Sequence, residues 1–323
     1  MLNKKMLNKK NTFLITGGAG FIGSNLAAYL LQNNQKVIVL DNLENGLNSN
    51  IKFLENLYGE FNFIKGDIRD FNTCLIATKN VDYVLHQAAL GSVPRSMKNI
   101  HLYHENNISG SLNILESSLK NNIKKVVCAS SSSVYGNTPI LPKVETMSTT
   151  PLSPYALGKL TVEYYSTLYS NTFNLPTLNL RYFNVYGPRQ NPLSAYAAVI
   201  PKFIKSFKAN QNIEIYGNGE QTRDFTYIEN VIDANIKAAF SDNKSNGEAI
   251  NIGCGYKITI NQLAKTIKNI LTSTGEIIYK QNRLGDVSDS LADINKAKKL
   301  IDYKGNITLD IGLDKTINWY KGN

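Results

Sequence analysis

Residues 16–23 read Thr16-Gly17-Gly18-Ala19-Gly20-Phe21-Ile22-Gly23. The stretch follows a short apolar run, Phe13-Leu14-Ile15-Thr16, and opens a segment of helical periodicity over 21–32. In that context a glycine-rich turn lets the backbone approach a pyrophosphate, whose charge is stabilised at the helix N-terminus. Gly17, Gly20 and Gly23, with Phe21 and Ile22 between them, are therefore the first candidates for dinucleotide contact. The spacing reads as G-x-x-G-x-x-G from Gly17 or as G-x-G-x-x-G from Gly18.

Outward from this turn, apolar runs at 36–40, 61–64, 81–85, 125–129 and 177–181 alternate with helical patterns near 71–79, 101–120 and 154–173. Continuous apolar runs separated by helices predict an α/β fold with a doubly wound parallel (Rossmann) sheet. Asp41 closes the second run, where a carboxylate accepts from the adenosine ribose 2′-hydroxyl and repels a 2′-phosphate; this favours NAD over NADP. Asp67, in Gly66-Asp67-Ile68, closes the third run and either meets adenine or caps the strand end. Beyond Asn184 the regularity weakens. Pro188, Pro192 and Pro201 are expected to break the chain, and helices near 228–240, 260–272 and 309–320 alternate with short pieces. Three regions follow: a basic N-terminal tail (1–11), an NAD-binding domain (12–184), and a smaller C-terminal α/β substrate-binding lobe (185–323). A strand near 249–251 is expected to return to the main sheet. The tandem MLNKK-MLNKK at 1–10 reads as a disordered tail.

The 323 residues are 42% hydrophobic and 19% charged, the balance of a water-soluble globular chain. The formal charge of +10 raises nucleic acid as a partner. Four of the lysines lie in the tandem, however, and the others are scattered without interleaved aromatics, which argues for a solvated face instead. No apolar run has the length of a membrane span or the form of a signal peptide. Cys74, Cys128 and Cys254 lie far apart without metal spacing, which fits a reducing cytoplasm, and with only three histidines no metal site is expected.

The chemistry is concentrated in Ser153-Pro154-Tyr155-Ala156-Leu157-Gly158-Lys159 and in the serine run 130–133. Positions four apart share a helix face, so the Tyr155 phenol and the Lys159 ammonium point into the same space. A neighbouring cation favours phenolate, making Tyr155 a base for an alcohol whose hydrogen a nicotinamide accepts.

With these motifs, His86-Gln87-Ala88-Ala89, Ser131 to Gly136 and Arg181-Tyr182-Phe183-Asn184, the chain resembles the extended short-chain dehydrogenases/reductases. Within them it is similar to UDP-sugar 4-epimerases, from Thr12 to about Trp319. The resemblance implies that Asn42, Ile68, Gln87, Ala88 and Asn106 join Asp41 and Asp67 along the NAD channel, with Phe183 beside the nicotinamide. His86 reads as a core histidine. Ser131, Tyr155 and Lys159 would be catalytic, with Ser131 bridging the sugar oxygen and the phenol. Related dehydratases and decarboxylases carry acidic residues where this chain has Ser132 and Ser133, and hydroxyls do not do carboxylate work; epimerisation is what remains.

On the substrate side the resemblance assigns Arg223 and Arg283 to the diphosphate, Tyr216 to uracil and Asn184 to the diphosphate or sugar. Asp286 goes to the uridine ribose or to orienting Arg283. The small Ser290, where a tyrosine restricts relatives to free hexoses, leaves room for a 2-acetamido group. The segments 91–96, with Ser92, and 195–201, with Val199, resemble a bacterial branch acting on UDP-GlcNAc and UDP-GalNAc. The uronic forms of these sugars, UDP-Glc/UDP-Gal, a net NAD-dependent oxidoreductase and an idle NAD-binding regulator remain as alternatives. A homodimer is implied, with Tyr164, Tyr165 and Leu168 on its seam or in an ordinary core face.

Overall fold

A computed structural model describes residues 6–59, 61–191, 198–242, 245–281 and 289–322. Strands β1 (Thr12–Thr16), β2 (Lys36–Asp41), β3 (Asn62–Lys65), β4 (Tyr83–His86), β5 (Lys125–Ser131) and β6 (Thr177–Tyr182) join a late strand, Glu248–Ile252, in one sheet. Its order is β3-β2-β1-β4-β5-β6-late, and every pairing is parallel. The strand order therefore reverses between β1 and β4, and a crevice at the carboxyl ends opens there.

Side-chain alternation along the strands builds two cores. Phe13, Ile15, Val37 and Val39 face the helices Phe21–Gln32, Asn48–Tyr58 and Ile228–Ala239. Leu14, Leu40, Val84 and Val126 face Phe71–Ala77, Gly110–Lys120 and Pro154–Phe173. Both faces are covered, so the strands read as continuous apolar runs. The late strand extends the sheet through Asn251↔Arg181 and Ile252↔Tyr182. Buried Lys125, on β5, ties β5 to the end of the helix Ile228–Ala239 by donating to Ser241 O and Oγ, both at 2.9 Å, and to Asp242 O at 3.2 Å.

The helix Pro154–Phe173 starts where its sequence dictates. The Ser153 hydroxyl accepts from Ala156 N at 3.2 Å, and Pro154 occupies the first turn. It ends at Asn174, in the left-handed region with φ 57°.

Three expectations are corrected. Pro201 does not break the chain: it sits in the first turn of the helix Val199–Lys208, where its missing N–H has no intrahelical partner to lose. The pattern over 101–120 is not one helix but Ile100–His104, a π-turn at Glu105–Ser109, and Gly110–Lys120. Residues 6–11 do not behave as a free tail. Leu7 is buried, Gln35 Nε2 donates to Leu7 O at 3.0 Å, and Asn11 N donates to Gln35 Oε1 at 2.9 Å.

Candidate active site

The glycine turn closes on itself: Gly20 N donates to Gly17 O at 3.0 Å, and Gly17 N to Leu40 O at 2.8 Å. Gly17 has φ +69°, and a Cβ there would lie 2.7 Å from Ala88 N. A Cβ on Gly23 would come within 2.2 Å of Gly17 O. The loop thus has backbone where side chains would otherwise stand. It borders a cleft of about 350 Å³ that contains Gly17, Gly20, Phe21, Ile22 and Gly23, and takes Asp41 and Asn42 from the end of β2. Ile68, Gln87 and Ala88, from the loops after β3 and β4, and Asn106, from the π-turn, complete it.

Asp41 is buried. Its carboxylate accepts from Ala19 N at 2.9 Å and Leu43 N at 2.8 Å. Burial raises its pKa and those two amides pull the other way. Asp67 lies beside the cleft, where Asn42 Nδ2 donates to it at 2.9 Å and the Arg69 fork at 3.0 and 2.7 Å holds its carboxyl down to about 2. The residues fit a dinucleotide: a pyrophosphate cradle without side chains, and a carboxylate for the ribose one strand away. Gln87 is also tied to the sheet, since Tyr182 donates to its Oε1 at 3.3 Å and its Nε2 donates to Asn235 at 3.1 Å. Asn45 and Gly46 line the same cleft. The signal for them in the sequence is the Asn-Gly pair four residues past Asp41, which marks a turn.

His86, at the end of β4, is buried between Thr16 Oγ1 at 2.7 Å and Ser111 Oγ at 2.8 Å. The Ser111 hydroxyl donates to Asn107 O at 2.7 Å, so Nε2 carries the imidazole proton and Nδ1 accepts from Thr16. Burial, and then Lys159, push its pKa to about 3. It is a neutral core residue.

Ser131 ends β5, one strand over from His86 and Gln87. Its hydroxyl accepts from Ser133 N at 3.2 Å and Ser133 Oγ at 2.9 Å, and it lies near enough to Tyr155 to favour the phenolate. Tyr155 is partly buried; burial raises its pKa and the Ser131 hydroxyl lowers it. Lys159 is buried, and Nζ donates to Ala129 O at 2.7 Å. Burial pulls Lys159 down to about 8, against Cys128 and Glu163, which raise it. Ser131 and Tyr155 are thus neighbours, with Lys159 one helical turn on, but burial works against phenolate. Ionising Tyr155 needs positive charge close by.

On the far side of β5, the chain leaves β6 through Phe183 and Asn184. Phe183 is fully buried against Tyr135, with no surface open to a ligand. Asn184 lines a second cavity of about 310 Å³ with Val199, Tyr216 and Arg223. Asn184 Nδ2 lies 3.5 Å from Ser290 Oγ and donates to Asp224 O at 3.0 Å, while Ser290 N donates to Thr222 O at 3.1 Å. Asp224 is fully buried and accepts from Cys254 N at 2.8 Å, Gly255 N at 3.0 Å and Ala292 N at 3.1 Å. It fixes the backbone of Arg223, yet nothing in the sequence distinguishes it from an exposed loop aspartate. Ser92 does not join either cavity; its hydroxyl caps the helix Val93–Lys98, accepting from Arg95 N at 3.2 Å. Ser132 and Ser133 form the turn after Ser131. Arg283 and Asp286 lie outside the described residues.

Ser131, at the end of β5, thus stands between the strand ends that lead to Gln87 in the dinucleotide cleft and to Asn184 in the second cavity. Residues 13–253 match the NAD dependent epimerase/dehydratase family, and the chain belongs to it. NAD is its cofactor. A UDP-N-acetylglucosamine 4-epimerase from Methanobrevibacter ruminantium M1, solved with UDP-N-acetylmuramic acid, is 39% identical. It superposes with a TM-score of 0.89 over 97% of this chain and 99% of its own. A UDP-glucuronate 4-epimerase from Thermodesulfobacterium geofontis is 36% identical over 96% of both chains. A UDP-glucose 4-epimerase from Mycolicibacterium smegmatis is 34% identical over 95% of this chain and 98% of its own.

Proposed function

We propose that this chain interconverts UDP-GlcNAc and UDP-GalNAc by inverting C4 through a 4-keto sugar. UDP-sugar 4-epimerisation with NAD is the broader activity, in keeping with the relatives. The observation that carries the reading is Ser131 at the end of β5, with Tyr155 beside it and Lys159 one helical turn on, between the strands whose ends lead to Gln87 in one cavity and Asn184 in the other. When bound, NAD supplies the acceptor and donor for the C4 hydrogen and a positive ring close to the site. Tyr155 takes the C4 hydroxyl proton and returns it to the C4 oxygen after the 4-keto sugar has turned its opposite face to the site. Ser131, held by Ser133, donates to the sugar oxygen as charge develops. Lys159 provides the standing positive charge that offsets the burial of the phenolate. Asn184, Val199, Tyr216 and Arg223 hold the uridine diphosphate. Arginine suits it because its fork matches phosphate oxygens.

The acetamido preference rests on Ser290, whose small side chain lies 3.5 Å from Asn184, a residue of the second cavity. Incubation with UDP-GlcNAc, UDP-Glc and UDP-GlcNAcA in turn, without added NAD, is expected to give fastest C4 inversion of UDP-GlcNAc. Faster inversion of either other sugar overturns the substrate assignment, and a need for stoichiometric NAD overturns epimerisation. Ser290→Tyr is expected to cut kcat/KM for UDP-GlcNAc by about 10–200-fold more than for UDP-Glc, the range a steric change in a pocket gives. Equal losses on both remove Ser290 from this role.

Leu157, Tyr164 and Leu168 are exposed along one side of the helix Pro154–Phe173, whereas Tyr165 packs inward. We place the partner copy of a homodimer on that side. The product then serves as a precursor of a surface polysaccharide.

A further inference from the structure

Behind the Tyr155–Lys159 face, the same helix carries Glu163 one turn on, so the three side chains share a stripe. Glu163 is buried, and so is its partner Arg181 on β6; the pair is bidentate, with Nε to Oε1 at 2.9 Å and Nη2 to Oε2 at 2.7 Å. Ser130 Oγ, next in the chain to Ser131, also donates to Glu163 Oε1. Arg181 Nη1 donates to Tyr135 OH at 2.9 Å, and that hydroxyl donates to Asn251 Oδ1 at 2.7 Å. One carboxylate therefore ties the end of β5, the turn Ser132–Tyr135 and β6 to the helix of Tyr155 and Lys159, and the late strand follows through Asn251.

A buried ion pair is a poor device for stability, since well-packed apolar residues do as well or better. What apolar residues do not provide is negative charge and a fixed hydroxyl. Around Lys159 stand His86 on β4, neutral, and Cys128 on β5, which supports the ammonium only as a thiolate and whose thiol burial pushes up to about 11. Tyr155 lies on its own helix, and Arg181 stands behind Glu163. Glu163 is the carboxylate acting on the ammonium.

We infer that Glu163, locked by Arg181, is a positioning residue for the reaction: it holds Ser130, and so the Ser131 hydroxyl, in register with Tyr155, and it supplies the negative charge that keeps Lys159 an ammonium. The inference rests on the proposed roles of Tyr155 and Lys159. Loss of that charge moves the alkaline limb of kcat to lower pH, because Lys159 deprotonates earlier and its support for the phenolate goes with it.

The test compares Glu163→Gln with the neutral pair Glu163→Gln/Arg181→Gln, which keeps hydrogen-bonding groups and leaves no unpaired buried charge. Melting temperature, bound NAD, and kcat and KM for UDP-GlcNAc are measured from neutral to alkaline pH. The neutral pair is expected to melt near wild type and retain NAD, with KM little changed. Its alkaline limb should lie about one pH unit lower, a loss of about tenfold in kcat on that limb. A neutral pair with the wild-type kcat profile overturns the inference, leaving Glu163 a packing residue. Tyr155→Phe in the same series separates the two claims: if it is inactive while the neutral pair is normal, only this inference falls; if it is fully active, the proposed function falls first.

Discussion

Tyr155→Phe is expected to lower turnover by about 10²–10⁴-fold, the range a positioned acid–base group contributes, while bound NAD stays in place. The fold gives no reason for a wider effect. Lys159 is anchored on Ala129 O rather than on the phenol, and Ser131 keeps its bonds from Ser133. The glycine turn lies at β1, two strands from β5. Quantifying NAD released by denaturing the purified variant, alongside the rate of C4 inversion, checks both halves. Wild-type turnover would remove Tyr155 from its role, and loss of NAD would make it a structural residue. The pH dependence has a definite sign. Burial raises the phenol and pulls Lys159 down to about 8, so without NAD the ammonium loses its proton first. With NAD bound, the positive ring brings the phenol down, and activity should fall as pH rises through the Lys159 titration. That titration belongs to the coupled pair rather than to either group alone.

Gly23→Ala should nearly empty the protein of cofactor. The new methyl would stand 2.2 Å from Gly17 O and 2.7 Å from Gly18 Cα, both backbone atoms. Gly17 cannot easily retreat, because its N–H is held by Leu40 O and its α-carbon lies against the backbone at Ala88. Either the helix Phe21–Gln32 shifts away from the turn or the turn opens, and the pyrophosphate cradle is lost in both cases. A loss of about 100-fold in NAD affinity, roughly 2.8 kcal/mol, is expected. Titration of the apo-protein with NAD, followed by calorimetry, reads it directly. Undiminished binding would mean that the pyrophosphate does not sit on this turn.

The sequence made the sheet legible because its strands are buried on both faces, and that yields unbroken apolar runs such as Phe13-Leu14-Ile15. It hid elements whose stability comes from context. The helix Val199–Lys208 carries a proline that matters only if it falls outside the first turn. The π-turn at Glu105–Ser109 arises where Asn107 exchanges hydrogen bonds with Leu90, at 2.8 and 3.0 Å, across a loop that local periodicity does not see. Site residues were legible where a motif fixes their spacing, as at Gly17–Gly23 or Tyr155–Lys159. Asp224 and Glu163 were not, because what sets them apart is burial among partners distant in sequence: Cys254 and Ala292 for one, Ser130 and Arg181 for the other. Phe183 is placed by its motif, whereas its packing against Tyr135 depends on a residue 48 positions earlier that the motif does not include.

The late strand also bears on how the chain is made. While a ribosome is still synthesising residues past Tyr182, β6 presents a bare row of amides and carbonyls, and Glu248–Ile252 does not yet exist to cover them. The nascent sheet is sticky during that interval, and the segment that seals it emerges only after most of the nucleotide pocket. A fragment ending near Asn184 would keep that raw edge permanently, open to pairing with another chain.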